Sequence, residues 1–365
     1  MQLQSRVLSP LWDQKIPHEL FELSLRVLQS QLQTGVYSLL SGLPFVEALQ
    51  EFPPSLSGDM CWDGRSDTLD YLINLSLKDI ADIEVALHKF KGLAVVRGLD
   101  PKRYSDEDNL IIYAGIVSWI GRERATNPLG MSAEHVRNAL LDKKPAGAVQ
   151  SELEPAKQAH KMNFHADRFM ADIVALFVLE KASSGGEQYV ASFQSIYNEL
   201  SKNYPEALAA LMVDWEWPAQ SEDVNAAPIK GPVVFSNGEQ IIAQLVWAPF
   251  VRQPSYLTPE RERALTVVND LARKMCVKLD SKAGDIQLIN NLAMLHARDG
   301  FVDSVTQRRH LVRIGIRDPE YQWARPVGFE EQFETAYRVP LSEQKMPTVD
   351  FDPWNATSTA ALNHG

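Results

Sequence analysis

Between Arg309 and Arg317 the chain alternates without a break. His310, Val312, Ile314 and Ile316 fall on one side; Arg309, Leu311, Arg313, Gly315 and Arg317 fall on the other. Successive strand residues point to opposite faces of a sheet, so one face is largely apolar and the other carries guanidinium groups. Two placements are open. The arginines can lie on a solvated outer face, with Val312, Ile314 and Ile316 toward the core. Alternatively they point into a barrel, where each buried cation needs an anionic partner. Arg309 and Arg313 share a face, about 13 Å apart at roughly 3.3 Å per residue. A dicarboxylate ligand supplies such a partner by bidentate pairing.

Further strands are short and scattered. Leu93–Arg97 is an apolar, β-branched run between glycines, and 173–179 is a continuous apolar run. Gln188 to Ala191 and Asp285 to Asn290 read the same way. Residues 233–247 hold two apolar runs around Asn237-Gly238, a strong hairpin signal. Helices are expected from Ser76, with Ile80, Ile83, Leu87 and Phe90 on one stripe, and after Ser105, with Ile111, Ile112, Ile116 and Trp119 buried. Two more run from Ser192 to Ser201 and from Thr258, where Ala264, Val268, Leu271 and Met275 form the stripe. Residues 122–160 read as loop with one short helix near 133–141. No regular crossover helices separate the strands and no G-x-G-x-x-G follows one, which disfavours a dinucleotide-binding sheet. The pattern predicts an α+β fold, mainly β with helical layers, around a sandwich or jelly-roll core.

A net charge of −11 argues against a nucleic-acid partner, since phosphate binding needs a basic face. The two cysteines, Cys61 and Cys276, belong to no C-x-x-C pair, so neither a disulfide framework nor a thiolate zinc site is expected. The first residues lack an apolar signal core and no run of 18 apolar residues occurs. These features point to a soluble, cytoplasmic protein with no membrane partner; a homo-oligomer is compatible with them.

One motif offers metal chemistry. Asn163-Phe164-His165-Ala166-Asp167 sets an imidazole and a carboxylate two residues apart, on one side of an extended segment. Two His and one carboxylate form a facial triad that leaves coordination positions open, as non-haem Fe(II) oxygenases require. With 8 His and 47 acidic residues in 365, about one His-x-Asp/Glu is expected by chance, so this motif alone decides little. The second imidazole candidate is His296 in Leu295-His296-Ala297-Arg298, a position that a core or turn histidine would fill equally well.

The order His-x-Asp, Gly185-Gly186-Glu187, Leu-His-Ala-Arg and Arg309-His-Leu-Val-Arg313 resembles the TauD/TfdA family of Fe(II)/2-oxoglutarate-dependent oxygenases, in the clavaminate-synthase-like group. The similarity covers roughly residues 92–318. It implies a double-stranded β-helix, with residues 1–91 as a helical N-terminal region, 319–365 as a tail, and 1–365 as a single domain. It further implies that His165, Asp167 and His296 ligate iron, that Arg309 holds the distal carboxylate of 2-oxoglutarate, and that Arg313 meets an anionic group of the substrate. Asn163 is a second candidate substrate contact. Many members have Gly-Gly-Asp-Thr, whose hydroxyl helps bind the cosubstrate; here Gln188 stands in the threonine position, and its amide is the candidate replacement.

The implied activity is oxidation of an unactivated C–H bond of a small, anionic or amino-acid-like molecule, with O2 as cosubstrate. Hydroxylation, desaturation and ring formation are all open, in natural-product, amino-acid or sulfonate metabolism. The competing readings are a cupin-like metal enzyme that does not use 2-oxoglutarate and a non-catalytic jelly-roll binder.

Overall fold

The computed structural model describes residues 52–67, 71–74, 80–148, 153–217, 229–350 and 353–354. The expected helical character of residues 1–51 and the helix start at Ser76 lie outside them. In chain order the strands of the two principal sheets are β1 (Leu72–Asn74), β2 (Leu93–Arg97), β3 (Glu123–Arg124), β4 (Glu134–Arg137), β5 (Met162–His165), β6 (Ile173–Glu180), β7 (Gln188–Ser192), β8 (Val277–Lys278), β9 (Ile286–Asn290), β10 (Met294–Arg298) and β11 (His310–Arg317). The larger, seven-stranded sheet runs β1-β2-β9-β6-β11-β3, and β4 also pairs with β11. The smaller, four-stranded sheet runs β8-β7-β10-β5. The hairpin around Asn237-Gly238 forms as Val234–Ser236 against Ile241–Ala243.

Alternation along the strands decides what each face meets. Ala94, Val96, Ile173, Ala175, Phe177, Ile286, Leu288, Val312, Ile314 and Ile316 pack outward against helix α1 (Asp106–Ile120). Ser105 and Asp108 close a reciprocal capping box at its start, and three acidic residues in the first turn suit the helix dipole. Ala191, Leu295 and Ala297, on the outer face of the smaller sheet, pack against α2 (Phe193–Asn203), α3 (Pro205–Met212) and α4 (Pro259–Met275). Between the sheets, Leu93 and Ile289 of one meet Val190 and Met294 of the other. The result is the jelly roll with helical layers expected from the sequence. Leu311, Arg313 and Gly315 therefore face inward. A Cβ at Gly315 would stand 2.6 Å from that of Ala171, so this position, two residues beyond Arg313, must lack a side chain for the loop after β5 to lie against it.

Three local expectations are corrected. Residues 134–137 are a strand and not part of a helix, because they pair antiparallel with His310–Arg313; only Ala139–Leu141 turns helically. Over Ala86–Phe90 the helix widens to a π turn, which shifts the register and leaves Phe90 42% exposed while Ile83 and Leu87 stay buried. In α1, Ile111 and Trp119 are only half-buried, although Ile112 and Ile116 are buried as expected. Among the described residues no helix is long and apolar enough to cross a membrane.

The pairing of β4 with β11 is fastened from behind. Pro347 O accepts from His135 Nε2 at 3.0 Å, so Nδ1 of that ring accepts from His310 Nε2 at 2.8 Å. Lys157 binds the His135 carbonyl and reaches Asp350 at 3.0 Å, strapping the tail across the strand. Burial, then His135, Arg137, Lys157 and Arg309, hold His310 down to about 3, and burial lowers His135 as well. An unfolded histidine protonates near 6.5, so below that pH the unfolded state binds more protons than the fold. Stability therefore falls as pH drops from 6.5 toward 3. In urea unfolding of metal-free protein at pH 7 and pH 5, the His310→Gln variant should lose less stability across this interval than wild type, by about 2 kcal/mol. Equal losses would exclude His310 as the titrating group.

Candidate functional site

The inward faces of β5 and β10 bring two imidazoles together. His165, the last residue of β5, pairs with His296 at the centre of β10, and their ring centroids are 4.2 Å apart. Asp167 follows in the loop, fully buried, with Oδ1 3.8 Å from His165 Nε2. One ligand atom from each of His165, Asp167 and His296 lies within 4.8 Å of the other two, the arrangement of a site that could hold a metal ion. The Asn163 carbonyl accepts from His165 Nδ1 at 2.8 Å, which leaves the Nε2 lone pair directed at the triad. Asn163 thus contributes its backbone and does not line the adjoining cavity.

A bulge sets this geometry. His296 pairs with His165 but Arg298 pairs with Met162, so three steps along β5 oppose two along β10. Met162 and His165 consequently line the same cavity. Beyond the bulge, Asn291 clamps the loop: its Oδ1 accepts from Asp167 N at 2.8 Å, and its Nδ2 donates to the carbonyls of Asp167 and Ala171. Sequence reasoning misses that role, because an amide beside an apolar strand is its only signal. Phe169, two residues after Asp167, adopts a positive φ of 52°, rare for a bulky residue.

Arg313 closes the other side of Asp167. Its Nη1 donates to Asp167 Oδ2 at 3.1 Å and its Nη2 to Glu134. Burial opposes the charged form, but Glu134, Asp167 and Glu154 outweigh it and raise the pKa of Arg313 further. Glu134 escapes sequence reasoning because it sits on β4, where a helix is expected. Arg309 differs. It is equally buried, yet its Nη1 has no hydrogen-bond partner among the described residues, and burial followed by the charge of Arg298 lowers its pKa well below the usual value. It lines the same cavity as His165 and His296. Gly186, at φ +75°, permits the approach: a Cβ there would come within 3.3 Å of Arg309 Cδ and of Phe301 Cβ.

Gln188 also borders this cavity, with its oxygen and one of its two amide hydrogens engaged. Its Nε2 donates to Gln287 Oε1 at 2.6 Å, while its Oε1 accepts from Gln287 at 3.0 Å and from Ser281 at 3.2 Å. A second cavity, lined by Asn127, Ser132, Glu134, Phe169 and Val339 among others, also reaches Arg313, so that residue borders both cavities.

A family model described as taurine catabolism dioxygenase TauD, TfdA family matches residues 55–314. The chain is 28% identical over 338 residues to a taurine hydroxylase-like protein, SAT17, of Stachybotrys chartarum, covering 80% of this chain and 87% of that one. It is 25% identical over 248 residues to FR-33289 synthase of Streptomyces rubellomurinus, covering 64% and 71% respectively. Among solved structures, an asparagine oxygenase in complex with Fe(II), 3-hydroxyasparagine and succinate aligns with a TM-score of 0.49 at 14% identity, over 68% of this chain and 94% of that one.

The buried Asp167 depends on a neighbouring cation. Arg313→Met should destabilise the metal-free protein by about 3–5 kcal/mol, because it strips the guanidinium from a buried carboxylate. Added Mn(II) should then raise the melting temperature more in the variant than in wild type. An equal rise in both would place the metal away from Asp167.

Proposed function

The chain belongs to the TauD/TfdA family and is an Fe(II)/2-oxoglutarate-dependent dioxygenase, and on that premise we propose that His165, Asp167 and His296 hold the iron while Arg309 receives the distal carboxylate of 2-oxoglutarate. One observation carries this reading: three ligand-type side chains converge within 4.8 Å, and two of them, His165 and His296, line the same cavity as a buried Arg309 nitrogen that has no partner among the described residues. A buried cation of this kind calls for an anion. When bound, iron and 2-oxoglutarate supply the capacity to oxidise an unactivated C–H bond with O2. The protein supplies orientation and exclusion of water. Asn163 O and Asn291 fix the ligand-bearing loop, and Leu176, Val190, Ile289 and Leu311 keep the cavity apolar around it.

The substrate is a small molecule, which we assign to the second cavity, on the far side of Arg313. Since Arg313 is already matched by Glu134 and Asp167, an incoming anion would have to share it with Glu134. A carboxylate or sulfonate that also carries an amine suits such a paired site better than a plain anion, which favours an amino-acid-like substrate. The setting we assign is secondary metabolism in the cytoplasm, where the unpaired thiols of Cys61 and Cys276 are stable. Succinate release, screened over amino acids, aminosulfonates and natural-product precursors, tests this assignment; release driven only by uncharged compounds would overturn it.

His165→Ala, Asp167→Ala and His296→Ala should each abolish stoichiometric Fe(II) binding in anaerobic titrations while leaving the circular dichroism spectrum unchanged. Retained binding in any variant removes that residue from the triad. Arg309→Ala should raise the 2-oxoglutarate concentration needed for half-maximal turnover by roughly a hundredfold, the scale of a lost charge-assisted hydrogen-bond pair. Arg308→Ala should leave it unchanged, because Arg308 is exposed. The reverse outcome would mean that the anchor lies one residue earlier.

A further inference from the structure

Arg298 stands two residues beyond His296 on β10 and faces the same cavity as Arg309. It is 4% exposed. One nitrogen, Nη2, donates to the carbonyls of Gln158 at 2.8 Å and His160 at 2.6 Å. The other two, Nε and Nη1, are buried without a partner among the described residues, like Nη1 of Arg309. The two guanidinia share one aromatic ring: Cζ of Arg298 is 4.8 Å and Cζ of Arg309 5.3 Å from the Phe301 centroid.

This is an uneven charge cluster. Both guanidinia are almost fully buried, each residue 4% exposed. Asp303 is the carboxylate whose charge both feel, and its Oδ1 is occupied by the Arg309 backbone N–H at 2.8 Å. Two buried cations therefore face one acid, and their unused donors border one cavity. A carboxylate offers about four lone-pair sites, enough to accept from two guanidinia at once. The neutral donor expected nearby, Gln188, is held by Gln287 and Ser281.

We propose that Arg298 binds the distal carboxylate of 2-oxoglutarate together with Arg309, as a second, charged donor beside Gln188, whose oxygen and one amide hydrogen are already used. The proposal rests on the cosubstrate reading given above. Arg298 then decides selectivity among 2-oxoacids: it favours those with a second carboxylate at the far end and does nothing for those with a methyl group there. A purely mechanical role, pinning the 158–160 segment through Nη2, would affect all 2-oxoacids alike.

The test is anaerobic calorimetric titration of the Fe(II)-loaded protein with 2-oxoglutarate and with 2-oxopentanoate, which replaces the distal carboxylate by a methyl group. Wild type should prefer 2-oxoglutarate. Arg298→Met should weaken 2-oxoglutarate binding roughly ten- to a hundredfold and leave 2-oxopentanoate within about threefold. Arg298→Lys, which keeps a cation but fewer donors, should retain part of the preference, and it carries the test if the methionine variant does not fold. Equal weakening of both ligands, or an unchanged preference, overturns the proposal and leaves Arg298 a structural pin. If wild type itself binds neither 2-oxoacid, the cosubstrate reading fails first and this inference fails with it.

Discussion

A guanidinium buried between two carboxylates holds the centre of this molecule together. Arg313 comes from β11, Glu134 from β4, and Asp167 from the loop after β5, and no two of these elements are close in sequence. Removing the guanidinium would leave two carboxylates uncompensated in the interior, where that is costly. Such clusters are weak contributors to net stability, but they define geometry well. Here the cluster determines which edge β4 joins, how β11 is turned, and where one oxygen of Asp167 is directed. The metal-binding reading depends on that last point, because the remaining Asp167 oxygen lies 3.8 Å from His165 Nε2.

Much of this is legible in the chain. The alternation at 309–317 presents the arginines on one face, and the acidic partners required by an inward orientation are present as Asp167 and Glu134. His165 and Asp167 are two residues apart and do converge. What stays hidden depends on contacts across long separations. Nothing local in Glu134–Arg137 announces a strand; its conformation comes from pairing with residues about 175 positions away, which overrides propensity. Gln188 does border the cavity, but its capture by Gln287 depends on the register of β9, which no spacing rule supplies.

Buried arginines in this protein are handled in different ways. Arg168 is held down to about 9 by burial, yet acceptors and rings surround it. Its guanidinium lies 3.8 Å from the Trp217 ring centroid and 4.4 Å from that of Phe169, and its Nη1 donates to the carbonyls of Pro232 and Gln244. Aromatic faces and carbonyl dipoles offset much of the charge there. Arg168 therefore acts as a packing element that braces the strained Phe169. Arg309 has a ring beside it but no hydrogen-bond acceptor for its Nη1 among the described residues, and it opens on a cavity. Arg168 Nη2 is likewise without a partner among the described residues, so neither a depressed pKa nor an orphan nitrogen separates the two; the cavity beside Arg309 does.

The bulge in β5 has a consequence for how this chain can tolerate change in length. Met162 and His165 face inward together only because one extra residue is absorbed between them. Deleting any residue of Asn163–Phe164 would restore the regular pleat and rotate His165 away from His296, or else draw the loop and Asp167 out of line. Additions just before Met162 would meet a segment already held at Gln158, Ala159 and His160. Homologous chains with this site should thus keep the count from Met162 through Asp167 constant.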